Sequence, residues 1–438
     1  MGEPTLPSTV DHVQPGRRPR ILLVSDYLPQ DIAVNVHGAF QRLRRHAETL
    51  QAIGELDVIF LWPWHPAAWT EQAKANFAAL RKAWGLRGEI HLVFSRFTCQ
   101  VSNLGILLPA WLERRLGPLA SLVENRNATT MRAIGDIAAR STPDLIFAHR
   151  MGAILLAVRS QAGKRPIVID LDDVEHVRMQ REARVRPWRE RTGLLFAAWL
   201  TKHLESEALT NATTALVCSE ADGRFLRRTS RKGHIAVLPN AAPEQQALPP
   251  SGRPVALFVG MVRYRPNAQG LIWLVRNIWP LVRRALPAAR LIVAGLGSDE
   301  LGLADEAAGI QALGFVGDLK PLYAEARIAI CPLHIASGTR IKIIEAAMFG
   351  RAALSTTIGV EGLSFTAGGD ITLADDAPSF ARACIDLLGD PERCRRMGLA
   401  ARETARRLYS PAAIDTRLKD LCTAALASDR LTLNQREA

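Results

Sequence analysis

Short, almost wholly apolar runs recur along this chain, and most are separated by stretches long enough for a helical crossover. They fall at 21–25, 56–61, 90–94, 145–148, 167–171 and 215–218. Runs that are apolar throughout, rather than alternating with polar residues, suit strands buried on both faces of a parallel sheet. Between the first two, Phe40, Leu43, Ala47 and Leu50 keep helical spacing over 38–53, and Gly54 stops the helix. The pattern is a βαβ series. It breaks once, at 242–254, where Pro243, Pro249, Pro250 and Pro254 cluster. It then restarts, with apolar runs at 255–259, 291–294, 311–315, 328–332, 353–355 and 371–373. The economical reading is two doubly wound α/β sheets facing a central cleft, followed by charged helices that expose Arg395, Arg396, Arg402, Arg406 and Arg407. The expected boundaries are a disordered segment 1–19, a first domain 20–245, a linker 246–254, a second domain 255–395 and a helical segment 396–438. No short-period repeat is visible, which argues against a solenoid.

A chain of 438 residues is too long for one ordinary core, and 48% hydrophobic with 22% charged residues suits a packed protein better than disorder. The formal charge of +12 points to anionic partners. Nucleic acid, anionic lipid and phosphorylated metabolites all satisfy that sign, but no zinc-finger spacing and no basic block interleaved with aromatics is present, so nucleic acid is not expected. Cys99, Cys218, Cys331, Cys384, Cys394 and Cys422 are scattered without a C-x-x-C pair and read as buried thiols in a reducing compartment. Residues 1–20 lack the apolar stretch of a signal peptide, and nowhere do about 18 uncharged apolar residues follow one another. A cytoplasmic location is expected.

The most informative stretch is 332–362, PLHIASGTRIKIIEAAMFGRAALSTTIGVEG. A strand end leads into a small-residue loop at 336–338, and a helix should begin near Thr339. Such a turn binds phosphate, because free backbone N–H groups and the positive end of the helix dipole point out of it. Arg340 and Lys342 add charge at the same terminus. Lys342 and Glu345, three apart, share a helix face, so one can meet a diphosphate while the other accepts from a ribose diol. An isolated K-x-x-E is more often a solvated pair. Here the pair follows a strand-to-helix turn in the second of two Rossmann-like halves, where ligands bind beyond the carboxyl ends of the strands.

With these residues the chain resembles the retaining GT-B glycosyltransferases of family 4, over about Arg20 to Tyr409. It is most similar to members that read G-x-G-T-R-x-K-x-x-E-A-x-x-x-G followed by T-x-x-G-x-E-G. It supplies Ser337, Gly338, Thr339, Arg340, Lys342, Glu345, Ala346 and Gly350, then Thr356, Gly359, Glu361 and Gly362, with Ala336 in the first glycine's place. Phe258-Val259-Gly260 with Pro266-Asn267 resembles the first strand and loop of the family's donor domain, and 291–295 its later strand ending in Ala-Gly. Gly314-Phe315-Val316 resembles the segment flanking the nucleotide base, and 237–240 the Pro-Asn element before the linker. In the first half, 144–149 resembles the strand whose terminal histidine faces the donor sugar, here His149; from the residues alone a capped strand-end histidine is an equal reading. Asp170-Leu171-Asp172-Asp173 forms a second strand end and acidic turn, Glu207 and Ser219 fit two further family positions, and Gly38 with Arg42 resembles a G-x-x-x-R at the first helix.

The resemblance implies catalytic roles for His149, Arg340 and Lys342. It implies donor contacts from Gly260, Arg263, Asn267, Gly314, Phe315, Val316, Ser337, Gly338, Thr339 and Glu345, and an acceptor side at Gly38, Arg42, Asp172 and Asp173. Two departures stand out. Ser337 occupies the place of the first Glu of the E-x7-E pair that many members hold, and Met261 and Asn267 take the places of a common Arg and Lys. Arg340 and Lys342, with Arg263 or Arg265, would then supply the missing charge, and the backbone amides of Ser337 and Gly338 would serve the donor in place of the absent carboxylate.

The implied activity is transfer of a sugar from a UDP- or GDP-sugar to a glycan or lipid-linked acceptor, with retention, in surface polysaccharide or glycolipid assembly. The leaving phosphate would take the acceptor proton. No cofactor and no obligatory metal are expected: Asp170-x-Asp172 has the letters of a metal motif but closes a first-half strand, so it reads as acceptor-side or structural. Segments 101–123 and 178–203 mix arginine with apolar residues. They read equally as membrane-surface helices, giving peripheral association with the inner face of the cytoplasmic membrane, or as ordinary amphipathic helices. Two other functions stay open, a sugar-nucleotide-binding protein without turnover and a nucleotide-sugar epimerase. An NAD-dependent enzyme is disfavoured, since no G-x-G-x-x-G follows Val24 or Val259.

Overall fold

The computed structural model describes residues 17–27, 38–62, 71–94, 128–161, 165–184, 186–229, 233–335 and 340–437. Among these, seven parallel strands form one sheet and six parallel strands a second, as two Rossmann-like lobes. The first sheet contains β1 (Arg20–Ser25), β2 (Glu55–Trp62), β3 (Ile90–Phe94), β4 (Leu145–His149), β5 (Ile167–Asp170), β6 (Thr214–Val217) and β7 (His234–Val237), in the order β3-β2-β1-β4-β5-β6-β7. The second contains β8 (Val255–Val259), β9 (Arg290–Ala294), β10 (Ile310–Ala312), β11 (Ile328–Cys331), β12 (Ala352–Ser355) and β13 (Thr372–Leu373), in the order β10-β9-β8-β11-β12-β13. In each lobe the order reverses between its first and fourth strands, which opens a crevice at their carboxyl ends.

Every residue of β4 and of β5 is buried, the condition that makes these strands legible as unbroken apolar runs. β7 escaped that reading because its burial is partial and its sequence, His-Ile-Ala-Val, begins with an exposed polar residue. β10 stops at Ala312, short of the expected 315, because Gly314 turns the chain with φ +67°. Helix α1 (Gly38–Ile53) matches its expected span and buries Phe40, Leu43, Ala47 and Leu50.

The chain between β7 and β8 forms neither helix nor strand, and Leu248 N–H donates to the Phe349 carbonyl at 3.0 Å. Of the C-terminal arginines, Arg395, Arg396, Arg406 and Arg407 are exposed, but Arg402 is partly buried and donates to the carbonyls of Met348 and Gln245. The last helix, Pro411–Glu437, leaves the second lobe and returns to the first. There Ile414, Leu418, Cys422 and Ala425 join Ile21, Leu43 and Phe147 in one core. The five cysteines among the described residues are buried free thiols. The segments 1–16 and 101–123 lie outside the described residues.

Candidate functional site

In the second lobe Lys342, from the first turn of the helix Ile341–Met348, reaches the carboxyl end of β8. Its Nζ donates to Asn267 Oδ1 at 2.8 Å and sits 4.3 Å from the centre of the Phe258 ring. Asn267 is set for this by its own Nδ2, which donates to the Met261 carbonyl at 2.8 Å. The approach requires small residues beneath it: a Cβ on Gly260 would lie 2.6 Å from Nζ. Gly295, at φ +140°, lets β9 turn so close that a Cβ there would lie 2.0 Å from the Gly260 carbonyl oxygen. A small apolar pocket lined by Val259, Tyr323 and Cys331 adjoins Lys342. Burial pushes the Lys342 ammonium below its ordinary range and the Glu345 carboxyl above its own. Glu345 accepts from the Tyr323 hydroxyl at 3.3 Å.

The helix begins at Ile341, two residues later than the expected start, with Arg340 as its N-cap residue in a non-helical conformation. Residues Ser337, Gly338 and Thr339 lie outside the described residues. Arg340 is turned inward: its guanidinium donates to the carbonyls of Ile358 and Glu361 at 2.6 and 2.8 Å and approaches the Glu361 carboxylate at 3.5 Å. It therefore fixes the turn after the helix Thr357–Val360. Gly314 N–H donates to Ser298 Oγ at 2.9 Å, and the Gly314 carbonyl accepts from Gly295 N–H at 2.7 Å, so the segment resembling the base-flanking loop is tied to the end of β9. Phe315 is exposed and Val316 partly so. Arg263 is exposed and paired with Glu300 at 2.6 Å; Arg265 is exposed.

In the first lobe, Ser25, His149 and Asp170 stand in register across β1, β4 and β5. His149 is fully buried, with Nδ1 3.1 Å from Ser25 Oγ and Nε2 3.9 Å from Asp170 Oδ2. Burial pushes its imidazolium well below the ordinary range, so the ring is neutral at neutral pH. Asp170 is the hub. Arg42 grips it with two bonds of 2.7 Å and also donates to the Leu238 carbonyl and Asn240 Oδ1, while His46 Nε2 lies 2.7 Å from Asp170 Oδ2. Burial alone would raise the Asp170 carboxyl, but Arg42 and His46 hold it well below the carboxylate range. Arg42 is thus fully engaged inside the lobe rather than presented to a ligand, and Gly38 opens the helix that carries it. Asp172, at φ +60°, remains partly open beside Arg42 at 3.8 Å. Asp173 is pushed up to about 7 by burial and by the nearby charges of Asp172, Glu175 and Asp222.

The lobes meet over this acidic turn. Arg181, on the helix Glu175–Arg184, binds Glu361 of the second lobe through two bonds of 2.8 and 2.9 Å. Gly362 packs so closely on Ser219 that a Cβ there would lie 2.6 Å from the Ser219 Cβ. A small cavity lies between them, lined by Asp173, Arg178, Arg181 and Asp222 from one lobe and by Arg340 and Glu361 from the other.

Sequence reasoning missed His46 and Arg181. His46 is legible afterwards: it follows Arg42 by one helical turn and so shares the face turned to Asp170. Arg181 carried no such signal among its arginine neighbours. Ser219 is a helix cap, bonded to Asp222 through both its hydroxyl and the Asp222 N–H. Glu207 pairs with Arg159 at 2.7 and 2.8 Å, along the helix Trp188–Asn211.

Residues 253–390 match the family model described as glycosyl transferases group 1. An uncharacterized 44.6 kDa protein in the cps region of Klebsiella pneumoniae is 30% identical over 139 residues, 30% of this chain and 36% of that protein. The match thus spans little more than a third of that relative's length. Among solved structures, sucrose-phosphate synthase from Thermosynechococcus elongatus superposes with a TM-score of 0.64 at 17% identity, covering 94% of this chain and 100% of that one. HepE from Anabaena, solved in complex with UDP and glucose, gives 0.62 at 13% identity, covering 93% and 100%. A glycosyltransferase from Rickettsia africae gives 0.59 at 13%, covering 93% and 99%. The chain therefore has the two-lobed GT-B fold, and residues 253–390 of its second lobe match the glycosyl transferases group 1 model.

Proposed function

We propose that this chain is a retaining glycosyltransferase that moves a sugar from a UDP- or GDP-sugar to a glycan or lipid-linked acceptor in the assembly of a surface polysaccharide or glycolipid. The observation that carries this reading is the setting of Lys342: a partly buried ammonium at the carboxyl end of β8, oriented by Asn267 above Gly260, at the start of a helix. Breaking a glycosyl–phosphate bond leaves negative charge on the departing diphosphate, and a fixed cation in a site of low dielectric stabilises that charge more than it stabilises the intact donor. The arriving diphosphate would also draw the Lys342 pKa back up, offsetting the burial. The complexes of HepE with UDP and glucose, and with UDP-glucose, support a nucleotide-sugar donor for a fold of this kind, and the relative from a cps region supports a polysaccharide product.

In this reading Glu345 accepts from the ribose diol, Gly314, Phe315 and Val316 flank the base, and the amides of Ser337, Gly338 and Thr339 serve the phosphates. Arg340 acts by fixing the turn that holds Glu361. His149 stands behind the donor sugar as a neutral ring, and Asp172 and Asp173 meet the acceptor. The test is donor hydrolysis and transfer by Lys342→Ala. We expect a loss of about a hundredfold, near 2.7 kcal/mol in barrier, without a change of fold. Activity within about threefold of wild type would overturn the assignment. Tight nucleotide-sugar binding with no product from the wild-type chain would favour a binding protein without turnover.

A further inference from the structure

The helix that hands Arg181 to the cleft is half of an antiparallel hairpin, α2 (Glu175–Arg184) with α3 (Trp188–Asn211). The inner face of α3 buries Ala197, Ala198, Thr201 and Glu205. Its outer face does the opposite. Trp188, Leu195 and Trp199, at i, i+7 and i+11, lie on one stripe, with Phe196 beside it, and they are 74%, 41%, 55% and 54% exposed in that order. Phe196 and Trp199 stack at 5.8 Å. A cluster of exposed aromatic side chains of this kind marks an interaction surface.

We propose that this face of α3 docks onto the surface of an anionic lipid bilayer. Three observations select that occupant. Tryptophan is the side chain suited to the boundary between headgroups and acyl chains, since its ring is apolar and its N–H can stay in the wet layer. Exposed Arg191 and Lys202 border the stripe, Arg184 lies at its end, and the acidic neighbour Glu190 is engaged by Arg186 at 3.1 Å, so the patch presents positive charge, as does the chain as a whole at +12. Among the described residues no helix is long and apolar enough to cross a membrane, so contact would be by a helix lying in the interface.

The register of the hairpin gives the contact a use. Thr201 Oγ1 meets Met179 Sδ at 3.7 Å and Glu205 bonds His176, which sets Trp199 level with Arg181, the residue that reaches across to Glu361. Docking therefore brings the mouth of the cleft to the bilayer surface, where a lipid-linked acceptor could present its headgroup without leaving the membrane. The docking itself stands apart from the transfer reaction; only this use of it rests on the proposed function.

Flotation of the full chain with phosphatidylcholine vesicles, with and without phosphatidylglycerol, tests the proposal. Wild type should float with the anionic vesicles at low salt. Phe196→Ser combined with Trp199→Ser should lower that partition by about tenfold, and Arg191→Gln combined with Lys202→Gln should remove the preference for anionic lipid. Both double variants alter exposed positions and should keep the wild-type melting temperature and nucleotide-sugar binding, so a failure of the donor reading would show separately. Absence of wild-type flotation, or flotation of the aromatic variant equal to wild type, overturns the proposal. So does a wild-type dimer that the aromatic variant dissociates in sedimentation without any vesicle binding, which would assign the face to a second copy of the chain.

Discussion

Asp173 stands where burial and three acidic neighbours oppose its charge, and its carboxyl is pushed up from 3.8 to about 7. Because the folded value exceeds the unfolded one, the fold holds a proton that the unfolded chain has already released. Stability therefore falls as pH rises from the ordinary carboxyl value toward 7 and levels off above it. Asp173→Asn removes that titration, so its melting temperature should gain on wild type between about pH 5 and about pH 8. A difference that stays constant across that range would contradict this account. Asp173 was legible as part of an acidic strand end, but its altered affinity for protons was not, since that depends on Asp222 brought in from another helix. Arg42 shows the same division. Its place on α1 could be read from spacing, whereas its engagement by Asp170, 128 positions away, and by Asn240, 198 away, comes only from the closed sheet.

At the scale of elements, the strands read best where both faces are covered. β4 and β8 could be recognised from their apolar runs alone, and β7, with its exposed histidine, could not. The helix Ile341–Met348 was legible as a unit, but its start was misplaced by two residues because Arg340 commits its guanidinium to the next turn instead of continuing the helix. The β8–β9 junction yields a sharper expectation. Gly295→Ala places a methyl on the Gly260 carbonyl at a backbone angle that side chains avoid, and should cost about 2 kcal/mol or more. A urea midpoint equal to that of wild type would show that the junction relaxes freely. The same substitution should weaken nucleotide-sugar binding, since Gly260 is the floor on which Lys342 rests.

For the whole molecule, the two-lobed plan was written in one proline-rich interruption between two series of apolar runs. The return of the last helix was not, because nothing in 411–437 says which lobe its apolar positions will meet. Truncation after Ser410 should strip Ile414, Leu418, Cys422 and Ala425 from the first lobe's core. At about 1.5–3 kcal/mol for each large apolar side chain, that loss should lower or abolish the first lobe's melting transition while leaving the second lobe's intact. A calorimetric trace with both transitions unchanged would refute it. The crossing has a consequence for how the protein is made. The second lobe is synthesised before the helix that completes the first, so the earliest-made half must wait, unfinished, with an open hydrophobic flank until residues 411–437 emerge.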